Sequence, residues 1–562
     1  MRRFLRIIPL VLLLAGCADL AKLLPTPEES EPELSAQGGP TAEAFPQEIT
    51  TAARIAERGE LIVGVRYDLE PFSYITEDST LAGLEIDLAR ELARRWLGDA
   101  DAVQFRQVRT DTAMEHLQAG TVDIVLAGVP HTQQAETGAD FSPTYFMNGL
   151  ALLTYPDSGI ASLGDLGGRN TGILDWTESA STLAATAPVT PTTVAYENFF
   201  DVIEALSTRQ IDAYADQRHR LERARRLVSG TYIVGQATQE PIAMMYREND
   251  PFFANLVLTT FQAMASEGQW QEIYARWLPD TPPPALPAWP GTAAVPSFAA
   301  APRERYTGNM IEGIKQRGVV EVGYFPNRWP YSADREDGVQ TGFEARMLER
   351  MVELWLGSRQ SVTFVPVDET TGPQMLENGE LDMLIGGWIH TMDGEMRFDF
   401  SDPVYDDGVS IFSLASAPIQ SLDELAGQPV GVIAGSAGEA ALPALSQTAG
   451  VGLSPVAYPD RDSAIAALEQ GEITAIVAER LHLLDPLYRT GGFFLTDTRF
   501  TYRPVAFILP QGDSSFRDLV NLTLATLRAN GSYAEIYGTW FDDPVPGAAP
   551  WPGSPSIPLS LQ

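Results

Sequence analysis

Hydrophobic positions along the chain fall into short blocks of two alternating periodicities. Leu61-Ile-Val-Gly-Val65 is a continuous apolar run with the length and β-branched character of a strand buried on both faces. Within Gly83–Gly98, Leu84, Leu88 and Leu92 recur at helical spacing. Asp123–Ala127 again reads as a strand. Phe199, Val202, Ile203 and Leu206 mark a helix that leads into the strand-like Ile211–Asp216. Strand and helix patterns in alternation predict α/β layers around a mostly parallel sheet.

The same pattern occurs twice. Gly59, Leu61, Val63 and Gly64 return as Gly318, Val320, Val322 and Gly323, an offset of 259 residues. The same offset carries Gly120–Asp123 onto Gly379–Asp382, Asp140-Phe-Ser142 onto Asp399-Phe-Ser401, and Gly172 onto Gly431. After an insertion the offset is 263, taking Glu272-Ile-Tyr-Ala-Arg-Trp277 to Glu535-Ile-Tyr-Gly-Thr-Trp540. A collinear series of this kind is a duplication. Proline-rich stretches bound the copies, giving module 1 at 50–280, a linker at 281–304, module 2 at 305–543 and a tail at 544–562. Both copies end in a Trp-Pro-Gly tail. Trp289 and Trp551 either pin that tail to its own module or sit in a flexible spacer.

The N-terminus changes the picture. Arg2, Arg3 and Arg6 precede a short apolar run, Ile7–Leu14, and residues 1–16 read as an export signal too short to span a bilayer, which needs about 20 apolar residues. Leu14-Ala15-Gly16-Cys17 resembles a bacterial lipobox, so Cys17, the one cysteine, is expected to carry lipid, with 17–49 as a flexible tether. The expected location is the periplasm or cell envelope, membrane-anchored through lipid alone. The formal charge is −36, and removing the signal leaves 35 basic residues against 74 acidic ones. No Lys/Arg-rich patch stands out, which argues against nucleic acid as a partner.

Taken in order, LIVGVRYDLEPFSY, GLEIDLARELA, LQAGTVDIVLAG and DFSPTYF, then VVEVGYFPNRWPYS, GFEARMLERM, LENGELDMLIGG and DFSDPVY, resemble bacterial extracellular solute-binding proteins of family 3, the polar amino-acid type. The resemblance implies tandem periplasmic-binding-protein-like (type II) modules, each with two α/β lobes, a hinge and a central cleft. Lobe two is expected at about 147–242 in module 1 and about 408–503 in module 2. Hinge closure on a ligand is the implied motion.

The resemblance also nominates site residues. Family members fork the ligand α-carboxylate with an arginine, the side chain best suited to a planar anion. That position holds Ala135 and Gly394 here, which leaves the ligand open. The acid expected to meet a ligand ammonium is Asp216 in module 1, with Glu479 at the matching place; the alternative is a solvated acid at a strand end. Ser436 stands at the anion-facing helix start, where module 1 has Trp176-Thr177. Trp176 either faces a ligand or packs ordinarily. The family's aromatic platform is replaced by Leu69 and Arg328; Arg328 is either an anion contact or a surface charge. Phe72 and Tyr331 match the family motif and could equally be core. His131-Thr132 and His390-Thr391 occupy equivalent loops, the threonine matching a ligand-binding hydroxyl and the histidine serving as ligand contact or loop donor. Trp388 has Val129 as its counterpart, so the clefts are expected to differ.

The function implied is capture of a small polar solute, amino-acid-like or related, for an ABC permease, or a sensory or scaffolding role with a separate partner. An enzyme, such as a dehydratase or a murein-lytic relative, is the least favoured class. The sequence carries no metal cluster, nucleophile elbow or phosphate loop, and no cofactor is implied.

Overall fold

The computed structural model describes residues 49–286, 309–335, 340–542 and 544–545. Cys17, Trp289 and Trp551 lie outside them. Each copy contains two five-stranded sheets. The first sheet of module 1 runs, edge to edge, Val103–Gln107, Leu61–Val65, Ile124–Leu126, Met245–Tyr246, Asp140–Phe141. Its first three strands are parallel, and Met245–Tyr246 is antiparallel to both of its neighbours. The second sheet runs Thr192–Tyr196, Asn170–Leu174, Ala213–Gln217, Leu150–Thr154, Tyr232–Val234, again with three parallel strands and an antiparallel fourth. Phe146–Asn148 and Glu240–Ile242 pair with each other between the sheets and form the hinge.

Module 2 repeats this order. Its first sheet is Val362–Pro366, Val320–Tyr324, Met383–Leu384, Ile508–Leu509, Asp399–Phe400. Its second is Ser454–Tyr458, Pro429–Ile433, Ala475–Glu479, Val409–Leu414, Phe493–Leu495. Tyr405–Asp406 and Pro504–Val505 make its hinge pair. The fold is therefore two tandem, two-lobed α/β modules. No helix among the described residues is long and apolar enough to cross a membrane.

The periodicities explain the layers. All five residues of Leu61–Val65 are buried, as expected of a parallel strand covered on both faces. The helix Leu84–Leu97 buries Leu84, Leu88 and Leu92 against that sheet, and the equivalent Phe343–Leu356 does the same in module 2. Each of these helices follows a glycine at φ 137° (Gly83) or 129° (Gly342). A Cβ there would lie 2.0 Å from the Phe72 carbonyl oxygen or 2.3 Å from that of Tyr331, so no other residue fits. Trp96 donates to Thr260 Oγ1 at 3.0 Å, and Trp355 to Thr523 Oγ1 at 2.8 Å.

Duplicated acids hold the first sheets together. Asp123 accepts from the Ile62 N–H at 2.8 Å and pairs with Arg54 and Arg58. Asp382 accepts from the Glu321 N–H at 2.8 Å and pairs with Arg317 at 2.6 Å. This accounts for the repeated Gly-x-x-Asp motif structurally.

The two modules meet through their first lobes. Asp140, at the sheet edge of module 1, accepts from Ser514 Oγ at 3.0 Å and ion-pairs with Arg517, both on the module 2 helix Ser514–Ala529. The Asn249 N–H donates to Ser514 Oγ at 2.9 Å, and the Ser514 N–H to Asn249 Oδ1 at 2.8 Å. Asp399, the module 2 counterpart of Asp140, accepts from the Gly512 N–H at 3.0 Å. Burial pushes its carboxyl up to about 7, Arg517 opposing the shift and Glu395 and Asp140 adding to it. Burial likewise raises Asp402 to about 6, with Glu136 adding to the shift.

Two outcomes are expected. Arg517→Ala leaves Asp140 buried without its ion-pair partner and should destabilise the chain by about 3–5 kcal/mol in urea titration; a loss below about 1 kcal/mol would show that the junction is not held this way. Carboxyls whose folded pKa is raised stabilise the folded state at low pH, and that stability is lost as pH rises through the folded value. The melting temperature should therefore be higher at pH 5.5 than at pH 8, and Asp399→Asn should narrow the gap.

Candidate functional site

Strand direction locates the clefts. In lobe two of module 1, Gln217 pairs with Leu150, which lies just past the hinge strand, so the carboxyl end of Ala213–Gln217 sits beside the hinge. The parallel strands Asn170–Leu174 and Thr192–Tyr196 end on the same side. In lobe one, Met245–Tyr246 follows the returning hinge strand and runs antiparallel to Ile124–Leu126, placing the carboxyl end of Ile124–Leu126 toward the hinge as well. Leu69 and Thr132 follow these strands on one lobe, and Trp176, with Phe200 and Arg220 in the first turns of the helices that come next, follows them on the other.

A buried carboxylate holds the lobe-one loop in each copy. Glu85 accepts from Ser73 Oγ at 2.8 Å, from the Gly128 N–H at 2.7 Å and from the Tyr145 hydroxyl. Glu344 accepts from the N–H groups of Gly386 and Gly387, the latter at 3.0 Å. Burial raises Glu85 above its usual range and Glu344 to about 7.

In module 1 the structure brings Trp176, Thr177 and Asp216 together. Thr177 Oγ1 donates to the Leu174 carbonyl at 3.0 Å and lies 3.0 Å from Ser179 Oγ. Ser179 Oγ in turn donates to Asp216 Oδ1 at 3.1 Å. Asp216 is 0% exposed and also accepts from the Tyr214 hydroxyl and from the Gln217 N–H at 2.7 Å. Arg220 Nε reaches its Oδ2 at 2.9 Å, and Arg220 Nη2 its Oδ1 at 2.9 Å. The Arg220 Cζ is 5.4 Å from the Trp176 ring centroid. Sequence reading missed Arg220; its signal was a position four residues past Asp216, at helical spacing.

The other module 1 nominees turn away from this group. Phe72 is buried in the hinge core, 4.9 Å from Phe146 and 6.0 Å from the His219 ring. His219 was also missed. It shares Asn148 Oδ1 at 3.2 Å through its backbone N–H and Nδ1, and burial lowers its pKa to about 3, keeping it neutral. His131 stacks on Phe141 at 4.3 Å, bonds to Glu136, and donates its N–H to the Pro241 carbonyl at 2.8 Å. Thr132 Oγ1 accepts from the Ala135 N–H at 3.1 Å.

Module 2 repeats the loop and changes the cleft. His390 stacks on Phe400 at 4.2 Å with Glu395 2.6 Å away, and Thr391 Oγ1 accepts from the Gly394 N–H at 3.1 Å. A Cβ at Gly394 would lie 2.9 Å from both the Phe400 ring and that hydroxyl. Tyr331 is buried in the hinge, 5.4 Å from Tyr405, with its hydroxyl 3.4 Å from Asp407. Arg328 lies 3.7 Å from the Phe325 ring centroid and 6.0 Å from that of Trp388, and pairs with Glu369. Ser436 caps the helix Ala437–Ala449 by accepting from the Glu439 N–H at 3.2 Å.

The strand register corrects one equivalence. Glu479 pairs with Val409, as Gln217 pairs with Leu150, while Asp216 pairs with Ala151 and Ala478 with Ser410. Glu479 is therefore the counterpart of Gln217, and Ala478 that of Asp216. The Glu479 carboxylate accepts from the N–H groups of Ala437 at 2.6 Å and Gly438 at 3.2 Å, so it covers the helix start that an anionic ligand would use. Among the described residues no group of side chains is arranged to hold a metal ion.

Comparison with known proteins agrees with this architecture. Residues 61–280 and 320–543 each match the profile of the bacterial extracellular solute-binding proteins, family 3. The chain is 27% identical over 235 residues to the ABC transporter glutamine-binding protein GlnH of Bacillus subtilis, covering 41% of this chain and 86% of that protein. It is 23% identical over 270 residues to the L-glutamate/L-aspartate-binding protein of Pseudomonas aeruginosa, covering 46% of this chain and 89% of that one. A solved polar amino acid ABC uptake transporter substrate-binding protein from Streptococcus thermophilus aligns with TM-score 0.37 and 22% identity, over 42% of this chain and 90% of its own. With both halves matched along nearly their whole length, the chain belongs to the bacterial extracellular solute-binding proteins, family 3.

Proposed function

We propose that this protein is a lipid-anchored, extracytoplasmic receptor that captures a small polar solute and hands it to an ABC permease. The observation that carries the reading is the hinge: two strands alone join each pair of lobes, with a cleft at the carboxyl ends of the parallel strands. The glutamine- and glutamate/aspartate-binding relatives support the solute class. Cys17 at the end of the export signal supports attachment through lipid.

A second reading applies to module 2. Glu479 covers its helix start, and Arg328 is stacked and ion-paired. Those contacts favour a module that supports or reports on module 1 instead of binding solute. In the first module, Trp176 and Thr177 are the proposed ligand-wall residues, with the buried Asp216 behind them.

A ligand that binds only the folded state raises stability by mass action, by about 2.7 kcal/mol at a hundredfold excess over its dissociation constant. Thermal-shift measurements of the full chain against amino acids, opines, polyamines and small organic acids should give at least one selective shift. Complete silence across that panel, with the protein folded, would move the function to partner binding.

A further inference from the structure

Asp216 already receives five donors: Ser179 Oγ, the Tyr214 hydroxyl, the Gln217 N–H, and Nε and Nη2 of Arg220. An ionised carboxylate offers about four lone-pair sites, so this one has no place left for a ligand ammonium. Arg220 is differently placed. Its Nε–Nη2 edge is held by Asp216, its side chain is 25% exposed, and its Cζ lies 5.4 Å from the Trp176 ring centroid. Trp176 is 61% exposed although its Nε1 is fixed by the Glu197 carbonyl at 3.2 Å. An indole anchored at its edge with an open face is a stacking platform. Phe200, 63% exposed, stands in the first turn of the helix after the neighbouring strand, with Arg223 5.9 Å from its ring.

We propose that the first cleft takes an amine-free carboxylate with a planar apolar body. Arg220 forks the carboxylate, Trp176 stacks on the body, and Asp216 acts as a positioning residue that fixes the guanidinium. This rests on the receptor reading above. The facing lobe carries the apolar Leu69 beyond its first strand, and Ala135 supplies no guanidinium of its own. The site belongs to module 1 alone. The corresponding module 2 positions are Gly435, Ala478 and His482, at the loop, strand and helix registers of Trp176, Asp216 and Arg220.

The test is a matched pair that differs only in the α-amine, 3-phenylpropionate and L-phenylalanine, titrated calorimetrically into the full chain. 3-Phenylpropionate should bind, and L-phenylalanine about tenfold or more weaker, because its ammonium is desolvated without an acceptor. Arg220→Gln should weaken 3-phenylpropionate by about tenfold or more, and Trp176→Ala by several-fold. Trp176→Ala removes a solvent-facing ring and leaves the core intact, so it reads binding even if Arg220→Gln unfolds lobe two. L-Phenylalanine binding as tightly as 3-phenylpropionate, or wild-type affinity in Trp176→Ala, overturns the proposal. Should another amino acid bind and lose binding in Asp216→Asn, this inference fails while the receptor reading stands. Should no small solute bind at all, both fall.

Discussion

Lobe one of each module is completed only when the chain comes back from lobe two. Met245–Tyr246 inserts between Ile124–Leu126 and Asp140–Phe141, and Ile508–Leu509 does the same between Met383–Leu384 and Asp399–Phe400. Without that returning strand the first sheet would be split and its edges unpaired. The returning segment thus closes the first sheet, places the second lobe as an insertion, and limits the connection between lobes to two short strands. The cleft and its facing loops follow from this threading.

Buried acid is the second theme. Glu85 and Glu344 hold the cleft loops, Asp123 and Asp382 hold the sheet starts, and Asp140 and Asp399 stand at the junction between modules. Each occurs in both copies, yet the partners differ. Asp123 has two arginines where Asp382 has one, and Arg517 serves Asp140 from the other module. A buried carboxylate needs donors, and the backbone N–H groups supply the duplicated ones while side chains supply the rest.

The strands and helices of the first lobes were legible because their burial is periodic: Leu61–Val65 and Leu84, Leu88, Leu92 read directly from the pattern. The helix at Phe199 was legible too: Val202, Ile203 and Leu206 are buried and Phe199 packs partly buried against the same core, while Phe200 faces outward. The cleft was less readable. Asp216 and Glu479 look equivalent when the copies are aligned by counting at an offset of 263, but a strand's register is set by the cross-strand partner: three of the four inserted residues precede the strand and one follows it, so the offset there is 262. Phe72 and Tyr331 sit in a motif, and only packing reveals that the hinge uses them. Arg220 carries no motif; its contact with Asp216 comes from the distance at which a helix start lies from a strand end.

The contacts that bridge the lobes differ in kind between the copies. In module 1, Glu70 meets Arg223 at 3.0 Å and Arg226 at 3.6 Å. In module 2 the same places hold Trp329 and Tyr488, with ring centroids 5.8 Å apart, beside the Tyr405–Phe541 stack. Dissolved ions screen the first kind of contact far more than the second. Raising the salt concentration would therefore weaken the charged bridge of module 1 and leave the aromatic bridge of module 2 in place. Duplication has given a single polypeptide two lobe-to-lobe contacts of different chemistry.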